Sequence, residues 1–132
     1  MDQFLSVSPG SDTPPLVLVV DDEELVRVVA VEFLEEDGFR VLEACDVREA
    51  MELLECERVD LVFSDIQMPG GLDGCDLARW VGINRPGLPV ILASGCIFDD
   101  SLPGDLRSVA PIIRKPYRSE LLMQRVGAAL RR

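Results

Sequence analysis

The chain has 132 residues, is 48% hydrophobic and 28% charged, and sets 24 acids against 13 Lys and Arg for a net charge of −11. That length suits one domain with a real core; the acidic balance argues against nucleic acid as a partner, because phosphates need a basic face, and against a basic helix for anionic membranes. The chain has no histidine, which excludes histidine acid–base catalysis, histidine metal ligation and a Ser-His-Asp triad.

The opening MDQFLSVSPGSDTPP (residues 1–15) has neither a basic start nor a long apolar stretch, so it is no signal peptide. Its Ser, Pro, Gly and Asp content reads as a flexible tail, and no segment of the chain approaches a membrane span. LVLVV (16–20) is a buried strand stopped by Asp21-Asp22. Val26, Val29, Ala30, Phe33 and Leu34 recur at helical spacing, with Glu23 and Glu24 in the first turn and Gly38 as the stop. FRVLEA (39–44) is a half-polar strand, and Asp46 with Glu49 resembles a capping box opening a helix that turns Val47, Ala50, Met51 and Leu54 inward. DLVFS (60–64) is a third strand. A helix from about Cys75 to Ile83 follows, with Leu77, Trp80 and Val81 spaced for burial and Arg85-Pro86-Gly87 as its end. PVILAS (89–94) is a fourth strand, 97–110 is poorly patterned, PIIRK (111–115) is a short fifth strand, and Leu122, Val126, Ala129 and Leu130 mark a final helix. The cysteines, Cys45, Cys56, Cys75 and Cys96, form no CxxC pair and read as reduced thiols serving as small apolar fillers.

Alternating strands and helices predict an α/β, doubly wound fold: a parallel five-stranded sheet with helices on both faces. The first, third and fourth strands are nearly all apolar, as interior parallel strands are; the second and fifth carry charge and go to the edges, giving the order 2-1-3-4-5. In such a sheet ligands bind outside the carboxyl ends of the strands, at the switch point between the first and third. Those ends carry Asp21 and Asp22, then Asp65, Ser94 and Lys115. Alone, Asp22 reads as a helix cap and Asp65 as a turn former, but five polar groups at four matching strand ends point to a site. Carboxylates held together repel one another, and a hard cation such as Mg²⁺ relieves the repulsion. A carboxylate can also attack phosphorus to give an acyl phosphate, with Mg²⁺ and Lys115 neutralising charge and the Ser94 hydroxyl donating to a phosphoryl oxygen.

The pieces VLVVDDEE, DLVFSDIQMPGGLDG, PVILASG and IIRKPY, in order from about Leu16 to Leu130, resemble the receiver domain of bacterial response regulators. The resemblance implies the flavodoxin-like (βα)5 form for residues 16–132. It further implies that Asp65 accepts phosphate from the phosphohistidine of a histidine kinase or histidine phosphotransfer protein. Asp22 and Asp65 would ligate Mg²⁺ by side chain, Asp21 would support it through water, and Gln67 would give its backbone carbonyl. Ser94 would be the switch hydroxyl and Lys115 the phosphoryl partner, aimed inward by a cis bond to Pro116. Such a domain is cytoplasmic and a signalling module rather than an enzyme; it labels itself from small acyl phosphates and loses the label slowly. Its output passes to a downstream protein, or to a second copy, through the face built from 97–110, the fifth strand and the final helix. That face is expected to carry Ile112 and Tyr117.

Three departures stand out. Met68–Gly74 carries one residue more than the family's usual turn, as in receivers fused to or serving hybrid kinases. Ile112 stands where an aromatic switch residue is usual, so the shift is expected to run through Ser94 and the 95–110 backbone. Pro103 and Gly104 interrupt the expected fourth helix. The chain ends at Arg132 with no output domain after it, which favours a single-domain regulator; a receiver excised from a hybrid histidine kinase is the alternative. A haloacid-dehalogenase-like phosphohydrolase is a reading from another class, but Gln67 stands where its general acid belongs. A degenerate receiver that binds without phosphate is the third, set against a full complement of site residues.

Overall fold

The computed structural model describes residues 13–95, 104–106 and 110–131. Tail residues 1–12, most of the 97–110 stretch and Cys96 therefore lie outside the described residues. The order is β1 (Leu16–Val20), α1 (Glu24–Glu36), β2 (Arg40–Ala44), α2 (Val47–Cys56), β3 (Leu61–Asp65), α3 (Gly74–Asn84), β4 (Val90–Ser94), a 3₁₀ turn (Gly104–Leu106), β5 (Ile112–Arg114) and α4 (Ser119–Leu130). The strands form one parallel sheet in the order β2-β1-β3-β4-β5, with β1 between β2 and β3. The half-polar strands are at the edges and the nearly all-apolar ones inside, as the sequence pattern requires.

Alternate side chains of each strand feed two cores. Leu18, Val20, Val62 and Leu92 pack with α2 and α3; Val17, Val19, Phe63 and Ile91 pack with α1 and α4. Each fully buried Leu or Val contributes about 1.5–3 kcal/mol by leaving water. The base of the sheet is closed by a reciprocal pair: Leu16 N–H donates to Asp60 Oδ2 and Asp60 N–H to the Leu16 carbonyl, both at 2.8 Å.

Local details depart from the sequence reading in four places. Glu23, not Asp22, occupies the N-cap of α1, and it makes no side-chain cap. Val29 is 45% exposed although its spacing suggested burial; α1 buries only Ala30 and Leu34 completely, a narrower stripe than the sequence offers. Asp46 caps α2 by accepting from Glu49 N–H at 2.8 Å, but Glu49 returns its bond to Cys45 N–H, one residue earlier than in a capping box. Of the described cysteines only Cys75 is a buried filler; Cys45 and Cys56 are exposed. None of the described helices is long and apolar enough to cross a membrane.

Candidate phosphoacceptor site

The chain leaves β1 and β3 at the switch point through acids. Carboxylate oxygens of Asp21, Asp22 and Asp65 all lie within 4.8 Å of one another. Asp21 and Asp65 are largely buried and Asp22 is exposed. Lys115, delivered by the end of β5, closes the cluster: its Nζ is 3.2 Å from Asp21 Oδ2 and 3.4 Å from Asp65 Oδ1. The Lys115–Pro116 bond is cis, and Lys115 N–H donates to the Ser94 carbonyl at 2.8 Å.

The electrostatics set Asp65 apart from an ordinary surface carboxylate. Burial pushes the Asp65 carboxyl above its ordinary value; Lys115 pulls the other way and Asp21 adds to the rise. One ammonium thus serves two buried acids while a third stands at the rim. All the donors are oxygens and Asp22 faces solvent, so the set fits a hard divalent cation that keeps several waters. Two of the described thiols are made less nucleophilic: the Cys45 thiol is raised chiefly by its hydrogen bond to Glu49 and the Cys75 thiol by burial.

The loop after Asp65 is held at both ends. Ile66 N–H donates to the Ala93 carbonyl at 2.9 Å, and Gly74 N–H to the Ile66 carbonyl at 2.7 Å. Gly70 and Gly71, with φ of +96° and +86°, absorb the extra residue in a left-handed stretch that side chains disfavour. Asp73 and Asp76 then close a reciprocal capping box, each at 2.9 Å. Gly74 is required by closeness: a Cβ there would fall on the Asp65 carbonyl oxygen and lie 2.9 Å from Ile66 Cα. Asp73 and Gly74 are absent from the sequence-derived site. The Asp-x-x-Asp spacing is a variant of the capping signature, and nothing in the sequence reveals how closely Gly74 approaches the Asp65 backbone.

The remaining expected residues divide. Ser94 is buried at the end of β4, and Gln67 is exposed two residues beyond Asp65. Ile112 and Tyr117 pack on opposite sides of the sheet. Ile112 packs with the α2–α3 core, whereas Tyr117 packs with the α1–α4 core, its ring edge-on to Phe63 at 5.7 Å and 77°. Tyr117 follows β5 and packs with α4, two elements of the expected output face, whose 97–110 part lies mostly outside the described residues. It lines a cavity of about 480 Å³ with Leu25, Val29, Phe33 and Pro116 beside Lys115. Leu25, 82% exposed at the rim, was not among the sequence candidates.

A model of the response regulator receiver domain family matches residues 17–127. The chain is 33% identical over 119 residues to the CAI-1 autoinducer sensor kinase/phosphatase CqsS of Vibrio cholerae, a match covering 85% of this chain and 17% of that protein. It spans about half the length, or less, of the curated relatives it matches. Among solved structures it is similar to a CheY-like response regulator receiver domain protein from Methanospirillum hungatei, with a TM-score of 0.82 and 25% identity over 89% of this chain and 94% of that one. It is also similar to response regulator TrrA of Thermotoga maritima in complex with Mg²⁺–BeF, with a TM-score of 0.75 and 27% identity over 88% and 99%.

Proposed function

Because this chain belongs to the response regulator receiver domain family, a module of two-component signalling, we propose that Asp65 is its phosphoacceptor. The single observation that carries the reading is the convergence of Asp21, Asp22, Asp65 and Lys115 at the switch point. An oxygen of Asp65 attacks the phosphorus of a phosphohistidine on a kinase or phosphotransfer protein. The P–N bond breaks as the P–O bond forms, and the imidazole leaves and takes up a proton. Lys115, already bonded to both buried acids, turns to the new phosphoryl group, and the Ser94 hydroxyl donates to it.

Asp22 and Asp65 would hold Mg²⁺ by side chain, with Asp21 acting through water and Gln67 through its carbonyl. A cation there neutralises charge on the phosphoryl oxygens. The crystallised Mg²⁺–BeF complex of TrrA supports the choice of metal. Residues 16–132 form the functional unit, 1–15 precede it as a tail, and the protein works in the cytoplasm.

The donor docks beside the site, where Leu25 and Val29 are exposed next to the cavity lined by Phe33, Pro116 and Tyr117. Apolar surface of this kind marks interaction sites. Output leaves through the face of 97–110, β5 and α4, to a downstream protein or a second copy. The match to a sensor kinase favours a second reading with the same chemistry, a receiver carried within a hybrid kinase.

The test is an intact-mass measurement after incubation with a small acyl-phosphate donor. One phosphoryl group is expected, absent with excess chelator and absent in Asp65→Ala. Continuous turnover of a phosphate ester would point instead to a phosphohydrolase, and full labelling of Asp65→Ala would end the assignment.

A further inference from the structure

Every polar group of Asp21 is held. Its N–H donates to the Ala44 carbonyl at 3.1 Å. Oδ1 accepts from Glu23 N–H at 3.0 Å, and Oδ2 from Lys115 Nζ at 3.2 Å. Its carbonyl accepts from Arg27 Nη1 at 2.8 Å. Arg27 is in turn gripped by β2: its Nε donates to Glu43 Oε1 at 2.8 Å, and its side chain is only 15% exposed. The Glu43 hydrogen bond is the chief cause of the guanidinium's raised pKa. The planar fork thus reaches two acceptors on two different elements at once, which an ammonium cannot copy.

A peptide unit is planar, so fixing the Asp21 carbonyl fixes the plane that leads into Asp22. We infer that Arg27 is a positioning residue for the cation site: by holding the Asp21 carbonyl against β2 it sets the direction in which the exposed Asp22 carboxylate leaves the chain. This rests on the proposed reading of Asp22 as a cation ligand. Charge and position make opposite demands here. Arg27 is a cation near a cation site, so on charge alone its removal tightens Mg²⁺ binding. As a positioning residue its removal weakens binding, as the loss of outer partners of metal ligands generally does.

The test is calorimetric titration of the full chain with Mg²⁺ alone, beside circular dichroism to establish folding. Wild type must bind saturably and Asp22→Ala must lose that binding; failure of either overturns the reading of the site rather than the role of Arg27. Given both, Arg27→Ala is expected to weaken Mg²⁺ binding by about tenfold, and Arg27→Lys to restore little of it. Affinity unchanged or tighter in Arg27→Ala overturns the inference. Should Arg27→Ala not fold, Glu43→Ala removes a partly exposed acceptor and leaves the guanidinium without its anchor on β2. Its Mg²⁺ affinity is expected to fall in the same direction by a smaller factor, and unchanged affinity there is equally fatal.

Discussion

The two loops that meet at the site are built differently. The β1–α1 loop is short, and all the polar groups of Asp21 are engaged by β2, α1 and Lys115. The β3–α3 loop is fastened at Ile66 and at Gly74 but passes between them through exposed Gln67 and the left-handed Gly70-Gly71 pair. Cation ligands bind better when they are held in place before the ion arrives, because any freedom they retain costs affinity. On the proposed reading Asp65 takes in a phosphoryl group, a cation and attacking water in turn, and a loop tied only at its ends accommodates that change.

Substitutions at the two glycine sites break this comparison most strongly. Gly74→Ala puts a Cβ into the backbone of Asp65 and Ile66; urea unfolding is expected to register a loss of roughly 1–3 kcal/mol or more, as overpacking against backbone gives, with loss of labelling. Gly71→Ala meets open space, and only its φ of +86° opposes it. The expected cost is about 1–2 kcal/mol, with labelling retained. If both variants lose labelling equally, the loop between its fastenings is as constrained as its ends, and the contrast fails.

Asp65→Asn comes next. The folded carboxyl titrates above its unfolded value because of burial, so the native state holds that proton more tightly. The contribution is fully present below the unfolded pKa and is lost as pH rises through the folded one. At neutral pH in chelator, Asp65→Asn is therefore expected to be more stable than wild type by about 1 kcal/mol. The gain disappears as pH falls below the ordinary carboxylate range. Lys115 keeps Asp21 as its partner in the variant, so the ammonium is not stranded when its 3.4 Å contact with Asp65 is lost.

The smallest effect is spectroscopic. Tyr117 is the only tyrosine in the chain, and burial, then Asp21 and Asp65, raise its phenol to about 12. Absorbance of the phenolate should give that value, with stability intact below the ordinary phenol pKa and falling as pH rises through the folded one. Asp65→Asn should lower the titration slightly and Phe63→Ala more, because burial is the larger cause.

The strand order and the acid cluster were legible because both rest on short-range chemistry. LVLVV and VILAS are too apolar for an edge, RVLEA is too polar for the interior, and each buried run stops at a polar residue. Asp65 stood out as an acid where the apolar run of β3 ends, and Lys115 as the basic end of β5. Arg27 was not legible: its spacing places it on α1 but says nothing of a bond to the Asp21 carbonyl or of Glu43 across the register. Val29 misled because its helical spacing fits a wider buried stripe than α1 forms. The core that receives Tyr117 was not legible, because β5 ends three residues earlier and the chain path through Lys115 and Pro116 decides which side of the sheet takes the ring.

The most direct measurement on Asp65 is chemical mapping of the label. Borohydride converts an acyl phosphate to the alcohol and leaves free carboxylates and phosphoserine unchanged. After labelling with an acyl-phosphate donor and Mg²⁺, then reduction and peptide sequencing, the altered side chain should be that of Asp65. A stable phosphate on Ser94, or reduction at Asp21 or Asp22 with Asp65 untouched, would contradict the assignment.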